Sequence, residues 1–218
     1  MRIVKPFEDQ PLWEFYDAEI PDIDYASYGF KTQNQISNLE VLDGDMYNKR
    51  MKILGRSLLG DPVYEEIRKI NMQVVDQIKS QHKNKNEYCR YDRNGNQYLL
   101  YCVNAWDMGV CDPDLIIDKK GFFMGYHYDN RNIKANLFLN LEDNESSTEF
   151  LITDEINPIK LTEDTEDATI DSPNEPISYK APSKKGSGYF YFNTNQLWHK
   201  IEVVDDERKI SMWGVIIQ

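Results

Sequence analysis

Histidine and cysteine are both scarce in this chain of 218 residues, with three of each. Cys89, Cys102 and Cys111 are odd in number and sparse, so they do not build a disulfide framework and fit a reducing compartment. Basic residues are outnumbered, 25 against 37 acidic, giving a formal net charge of -12 and a pI near 4.7. A nucleic-acid binder needs the opposite sign to neutralise phosphates, and anionic membrane surfaces are disfavoured for the same reason. No stretch approaches the roughly 18 uncharged apolar residues that a spanning helix requires. The first residues, Met1-Arg2-Ile3-Val4-Lys5-Pro6-Phe7-Glu8, contain no apolar run of the secretory-signal kind. These absences predict a cytoplasmic protein with no nucleic-acid or membrane partner. What is abundant is core material: 40% hydrophobic residues, including 14 Tyr, 9 Phe and 4 Trp, which excludes wholesale disorder. The length suits one domain, and residues 1–218 are expected to form it.

Residues 1–58 are rich in turn formers without sustained periodicity and predict irregular structure wrapping a core, as part of an N-terminal region covering 1–94. A helix is expected over about 62–82. Asp61-Pro62 supplies an N-cap and a first-turn proline, and Val63, Ile67, Ile70, Val74 and Ile78 form an apolar stripe. Asn94-Gly95 between two short runs predicts a hairpin. Short strand-like runs follow at Leu115–Asp118, Phe122–Tyr128, Lys134–Leu141, Thr148–Ile152, Gly188–Phe192, Leu197–Val204 and Lys209–Ile217. One helix followed by these runs predicts an α+β, mainly β chain whose core (95–218) is a jelly roll or cupin-like barrel. From Glu142 to Pro176 twelve acidic residues stand against one basic residue, Lys160. The acidic stretch of about 153–187, with no clear strand run longer than a few residues, is expected to be a solvated insertion, with a lid or docking surface as the alternative.

With so few histidines, each can be considered singly. His82 follows the helix in a polar run and is expected to be exposed. His127 and Asp129 stand two apart at a strand end and would project to one face. His199 follows the aromatic run Tyr189-Phe190-Tyr191-Phe192. Two histidines and one carboxylate make the facial triad of mononuclear non-haem iron(II) sites, which leaves coordination positions open. Downstream of His199 come Arg208, Lys209 and Ser211, and an arginine fork with a nearby hydroxyl suits a carboxylate.

The set His127-x-Asp129, His199 and a basic residue nine or ten positions on resembles the 2-oxoglutarate- and Fe(II)-dependent oxygenases, especially the prolyl 4-hydroxylase-like branch, which includes phage and bacterial members. Tyr128-Asp129-Asn130 with Asn136-Leu137-Phe138-Leu139-Asn140 is similar to that branch's metal-bearing strand pair. Lys184-Lys185-Gly186 and Tyr189–Phe192 are similar to its turn and aromatic strand. The likeness covers about 95–218. Ser146-Ser147-Thr148-Glu149-Phe150 lacks the glycines usual at that place, and Phe138 stands where relatives often carry a co-substrate tyrosine.

The resemblance implies a double-stranded β-helix in which His127, Asp129 and His199 hold Fe(II). It implies that 2-oxoglutarate is anchored by Arg208 or, alternatively, Lys209, with Ser211, Asn136 and Phe138 around it. The implied reaction is hydroxylation of a C–H bond by O2, yielding succinate and CO2, with ascorbate as a reductant. Retention of Asp129 favours hydroxylation over halogenation. Tyr126, Tyr128 and Trp213, together with Trp106 and Trp198, would line a mouth for substrate, first of all a prolyl residue in a peptide or protein. A small metabolite or free amino acid is the alternative substrate. A cupin-like metalloenzyme without 2-oxoglutarate and a non-enzymatic jelly-roll binding or structural module are the alternative functions.

Overall fold

The computed structural model describes residues 1–32, 48–81, 89–91, 97–99, 112–127, 133–152, 159–160, 169–170, 177–193 and 197–216. Its strands in chain order are β1 (Arg2–Val4), β2 (Leu12–Tyr16), β3 (Lys31–Thr32), β4 (Arg50–Ile53), β5 (Cys89–Tyr91), β6 (Gln97–Leu99), β7 (Asp114–Lys119), β8 (Phe123–His127), β9 (Ile133–Asn140), β10 (Glu149–Ile152), β11 (Ile159–Lys160), β12 (Thr169–Ile170), β13 (Ile177–Lys180), β14 (Gly188–Phe192), β15 (Leu197–Glu202) and β16 (Glu207–Ile216). The helix α1 runs from Pro62 to Gln81. No helix among the described residues is long and apolar enough to cross a membrane.

The α1 start follows from its cap: Asp61 Oδ1 accepts from the Tyr64 amide at 2.8 Å, and the Asp61 carbonyl accepts from Glu65. Tyr64, Ile67, Val74 and Ile78 are fully buried along one face, and Lys79 lies in the last turn, where a cation suits the helix dipole. That face packs on Trp13, Phe15, Leu115, Leu137, Leu139, Phe190 and Phe192. These residues belong to an eight-stranded antiparallel sheet in the order β1-β2-β14-β9-β16-β7-β4-β3. Its other face meets a four-stranded sheet, β13-β10-β15-β8, across a second core of Leu12, Ile116, Phe138, Phe150, Ile152, Tyr189, Tyr191, Leu197 and Ile210. Helix, large sheet and small sheet thus form three layers around two cores.

The aromatic run 189–192 lies where this layering puts it. β14 is buried on both faces, so Phe190 and Phe192 enter the helix-side core while Tyr189 and Tyr191 enter the core between the sheets. Close packing there needs Gly188, because a Cβ would stand 2.0 Å from the Phe138 carbonyl oxygen and 2.3 Å from Phe15 Cζ. Gly186, with φ +75°, makes the turn into this strand.

One expectation is corrected. Residues 1–58 are not merely irregular: β1, β2, β3 and β4 extend the large sheet at both edges, with β2 against β14 and β4 against β7. Their shortness hides them, since strands of two to five residues carry no visible alternation. Within the acidic stretch the described strands are two to four residues long. β13 pairs with β10, Ala181 donates to the Thr148 carbonyl, and β11 pairs with β12. The hairpin strands β5 and β6 pair, while the Asn94-Gly95 turn lies outside the described residues.

Candidate active site

His127 closes β8 and His199 lies within β15, and the two are direct cross-strand partners. Their rings are 4.3 Å apart between centroids. A shift in the pairing just after His199 marks a β-bulge, the kind of irregularity that re-aims a side chain. His199 is 6% exposed and contacts Phe150 and Tyr191 on the inner side. His127 Nδ1 stands 2.7 Å from the Gly125 carbonyl, which can only accept, so this nitrogen carries the proton. In the neutral ring that leaves the Nε2 lone pair available, the usual way a metal-binding histidine is oriented. Tyr191 Oη lies 3.2 Å from His199 Nε2 and accepts from Asn136 Nδ2 at 3.0 Å. Among the described residues no third His, Cys, Asp or Glu completes a metal-sized cluster. Asp129 and Tyr128 lie outside the described residues, as do His82 and Trp106.

The opposite end of the interior is cationic. Arg208, 2% exposed, donates from Nη2 to Thr148 Oγ1 at 3.3 Å, and its Nη1 stands 3.6 Å from Asp118 Oδ2. Thr148 Oγ1 and Tyr189 Oη are 2.6 Å apart. Burial pushes the Tyr189 phenol up, opposed by the positive field of Arg208, so it remains a neutral hydroxyl. Between the two ends runs an aromatic wall. Phe138 stacks on Tyr189 at 4.9 Å and lies parallel to Tyr191 at 6.4 Å, and Phe150 meets both tyrosines edge-on. His199, Tyr191, Phe138, Tyr189, Thr148 and Arg208 therefore form a continuous line of contacts from the imidazole pair to the guanidinium.

Parity along the strands sorts the remaining candidates. Arg208 and Ser211 are three apart on β16, so they face opposite sides. Ser211 is corrected on this ground: its hydroxyl accepts from Asn71 of α1 at 3.1 Å, on the helix side. Lys209 also leaves the interior, held by Glu142 at 3.0 Å and lying over the Tyr25 ring. The choice between Arg208 and Lys209 as the interior cation thus falls to Arg208. Trp213 packs with the helix-side core, so it does not join the mouth. Tyr126 is back-to-back with His127 and lies on the outer face of the small sheet beside Leu151 and Trp198. There it donates to Glu149 Oε1 at 2.6 Å. Asn136 and Phe138 do face the interior.

Residues not singled out from the sequence complete the interior: Tyr189, Tyr191, Thr148, Asp118 and Arg50. The two tyrosines had a signal, since alternation places both on one face of β14. Their rings stack beside Phe138 in the core between the sheets. Asp118 had a fainter one, an acid directly following the apolar run Leu115-Ile116-Ile117.

No protein-family profile and no curated protein matches the chain. Among solved structures it is similar to a prolyl hydroxylase from Trichoplax adhaerens in complex with a hypoxia inducible factor oxygen degradation domain peptide fragment. The TM-score is 0.50 and the identity 15%, over 88% of this chain and 73% of that one. A prolyl-4-hydroxylase from Pseudomonas putida gives a TM-score of 0.45 and 9% identity, over 78% and 73%. The epimerase SnoN, in complex with Fe3+, alpha ketoglutarate and nogalamycin RO, gives 0.45 and 8%, over 77% and 63%. The Trichoplax structure shows a shared fold, jelly-roll-like, with two facing antiparallel sheets and one helix.

Proposed function

We propose that this chain is an Fe(II)- and 2-oxoglutarate-dependent oxygenase that hydroxylates a C–H bond, and that its two facing sheets form a double-stranded β-helix. The single observation that carries this is the cross-strand pair His127–His199, joined by one aromatic wall to a buried arginine. The residues fit the implied groups. His127 is oriented through Nδ1 with its other nitrogen available, His199 stands beside it, and Asp129 is the third donor by sequence. When bound, iron supplies oxygen activation, while oxidative decarboxylation of 2-oxoglutarate to succinate and CO2 supplies two of the electrons that reduce O2.

The chain's own residues bind, orient and exclude water. Arg208 would receive the distal carboxylate of 2-oxoglutarate, because a buried guanidinium is a strong, geometrically selective carboxylate partner. The Tyr189 and Thr148 hydroxyls stand beside it as neutral hydrogen-bonding groups. Asn136 fixes the Tyr191 hydroxyl, which holds the His199 ring in place from the interior side. Phe138, Phe150 and Ile210 keep the passage dry, which strengthens every electrostatic contact within it. The substrate class we favour is a prolyl residue in a peptide or protein. The neighbour from Trichoplax was solved with a peptide, and Tyr128 is the aromatic candidate for its entrance. A free amino acid or other small metabolite is the second substrate class.

The test is turnover. Purified protein supplied with Fe(II), ascorbate, O2 and 2-oxoglutarate is expected to release succinate slowly, and faster once a substrate from a proline-containing peptide set is present, with one oxygen atom gained by the peptide. Succinate release that is the same in wild type and His199→Ala would overturn the proposal.

A further inference from the structure

Arg50 and Asp118 lie at the cationic end of the interior, outside every motif that carries the resemblance. β4, β7 and β16 are adjacent, and their register puts Arg50, Asp118 and Arg208 in one row. Asp118 is completely buried. The Arg50 fork takes both of its oxygens, Nε to Oδ1 at 2.6 Å and Nη2 to Oδ2 at 2.9 Å. Arg208 reaches the same carboxylate only at 3.6 Å. Stacking of the Arg50 guanidinium over the Phe122 ring at 4.2 Å fixes its position from the other side.

Two guanidiniums and one carboxylate leave this row with one positive charge in excess among the described residues. Arg208 Nε is moreover buried without a hydrogen-bond partner there. A buried charge without a full set of partners is unfavourable, so an anion would complete the row. A bidentate pair is the stronger and more directional competitor for a carboxylate. Arg50 therefore decides how much of Asp118 is left to Arg208.

We propose that Arg50 is a positioning residue for the co-substrate: by holding both oxygens of Asp118 it keeps that carboxylate from neutralising Arg208, which leaves Arg208 able to select a 2-oxo acid with a second carboxylate. This rests on the oxygenase reading above. The row selects dicarboxylates over monocarboxylates, and it assigns a functional role to a strand of the N-terminal region.

The experiment is anaerobic calorimetric titration of the full chain, loaded with Mn(II), with 2-oxoglutarate and with pyruvate, which keeps the 2-oxo acid end but lacks the distal carboxylate. Arg50→Met frees Asp118 to collapse onto Arg208 and is expected to weaken 2-oxoglutarate binding by at least about tenfold, leaving pyruvate unchanged. Adding Asp118→Asn to Arg50→Met removes the competing carboxylate and is expected to restore affinity to within about threefold of wild type. Arg50→Lys, which retains the charge without the fork, guards against a misfolded Met variant and is expected to fall between the two. Circular dichroism and urea midpoints confirm that each variant is folded. Unchanged 2-oxoglutarate affinity in Arg50→Met, or a double variant as weak as the single one, overturns the proposal while leaving Arg208→Ala to report on the oxygenase reading. A wild type that binds no 2-oxoglutarate overturns that reading itself.

Discussion

The two faces of the eight-stranded sheet use the same strands for different ends. On the helix side, Trp13, Phe15, Leu137, Leu139, Phe190 and Phe192 make an apolar core with α1, within which Asn71 donates a hydrogen bond to Ser211. On the other side, the residues one position along carry hydroxyls, amides and charges: Asn136, Tyr189, Tyr191 and Arg208. β16 shows the contrast residue by residue, with Lys209, Ser211 and Trp213 toward the helix layer and Arg208 and Ile210 toward the interior. The comparison teaches that folding and chemistry are separated by strand parity rather than by segment, so neighbouring residues are expected to fail in different ways.

The largest expected effect lies on the helix side. Phe190 is buried between Trp13 and Phe192, with centroids 5.9 and 5.4 Å away. Truncation to Ala is expected to cost about 3–5 kcal/mol, seen as a lowered urea midpoint. The protein that remains folded should still bind metal and 2-oxoglutarate. Its neighbour Tyr191 sharpens the contrast: Tyr191→Phe keeps the ring and removes the hydroxyl beside His199, and is expected to change metal affinity more than stability. Ser211→Ala is a smaller step, about 1 kcal/mol of lost hydrogen bonding to Asn71, with unaltered affinity for 2-oxoglutarate. Were Ser211 part of the co-substrate site, affinity would fall instead.

The smallest effect belongs to the outer surface of the four-stranded sheet. Burial would raise the Glu149 carboxyl, but hydrogen bonds from Tyr126, Ser178 and Lys200 outweigh it and hold the group below the ordinary glutamate range. A carboxyl lowered on folding contributes stability that is full above its unfolded value and lost as pH falls through its folded one. Glu149→Gln should therefore be slightly less stable than wild type at neutral pH. The two stability curves should converge as pH falls through the lowered folded value of this carboxyl, measured by urea unfolding across the acid range. A constant gap at all pH values would assign the effect to shape alone.

Much of this arrangement is legible in the residues. The helix follows from apolar spacing and the Asp61-Pro62 start, and β7, β14 and β16 from their runs and turns. Parity was legible too: the spacing of Arg208 and Ser211 already puts them on opposite faces of a strand, while which face meets the helix shows only in the packing. What could not be read is pairing over distance. Nothing local in β4 indicates that Arg50 meets Asp118, because register is fixed by the whole sheet. The pairing of His127 with His199 likewise emerges only when β8 and β15 meet. Short strands such as β1 and β3 carry too few residues for any pattern, and their place comes from the edge they extend.

The central claim is that the interior face binds a metal at the histidine end and a dicarboxylate at the arginine end together. The most direct measurement is anaerobic titration of the purified protein with Fe(II) and then 2-oxoglutarate, followed by visible absorption. A weak charge-transfer band that saturates near one equivalent, absent in His199→Ala and weakened or lost in Arg208→Ala, is the predicted result. No band in the wild type, with no iron retained, would contradict the account and leave the face as a polar core without this chemistry.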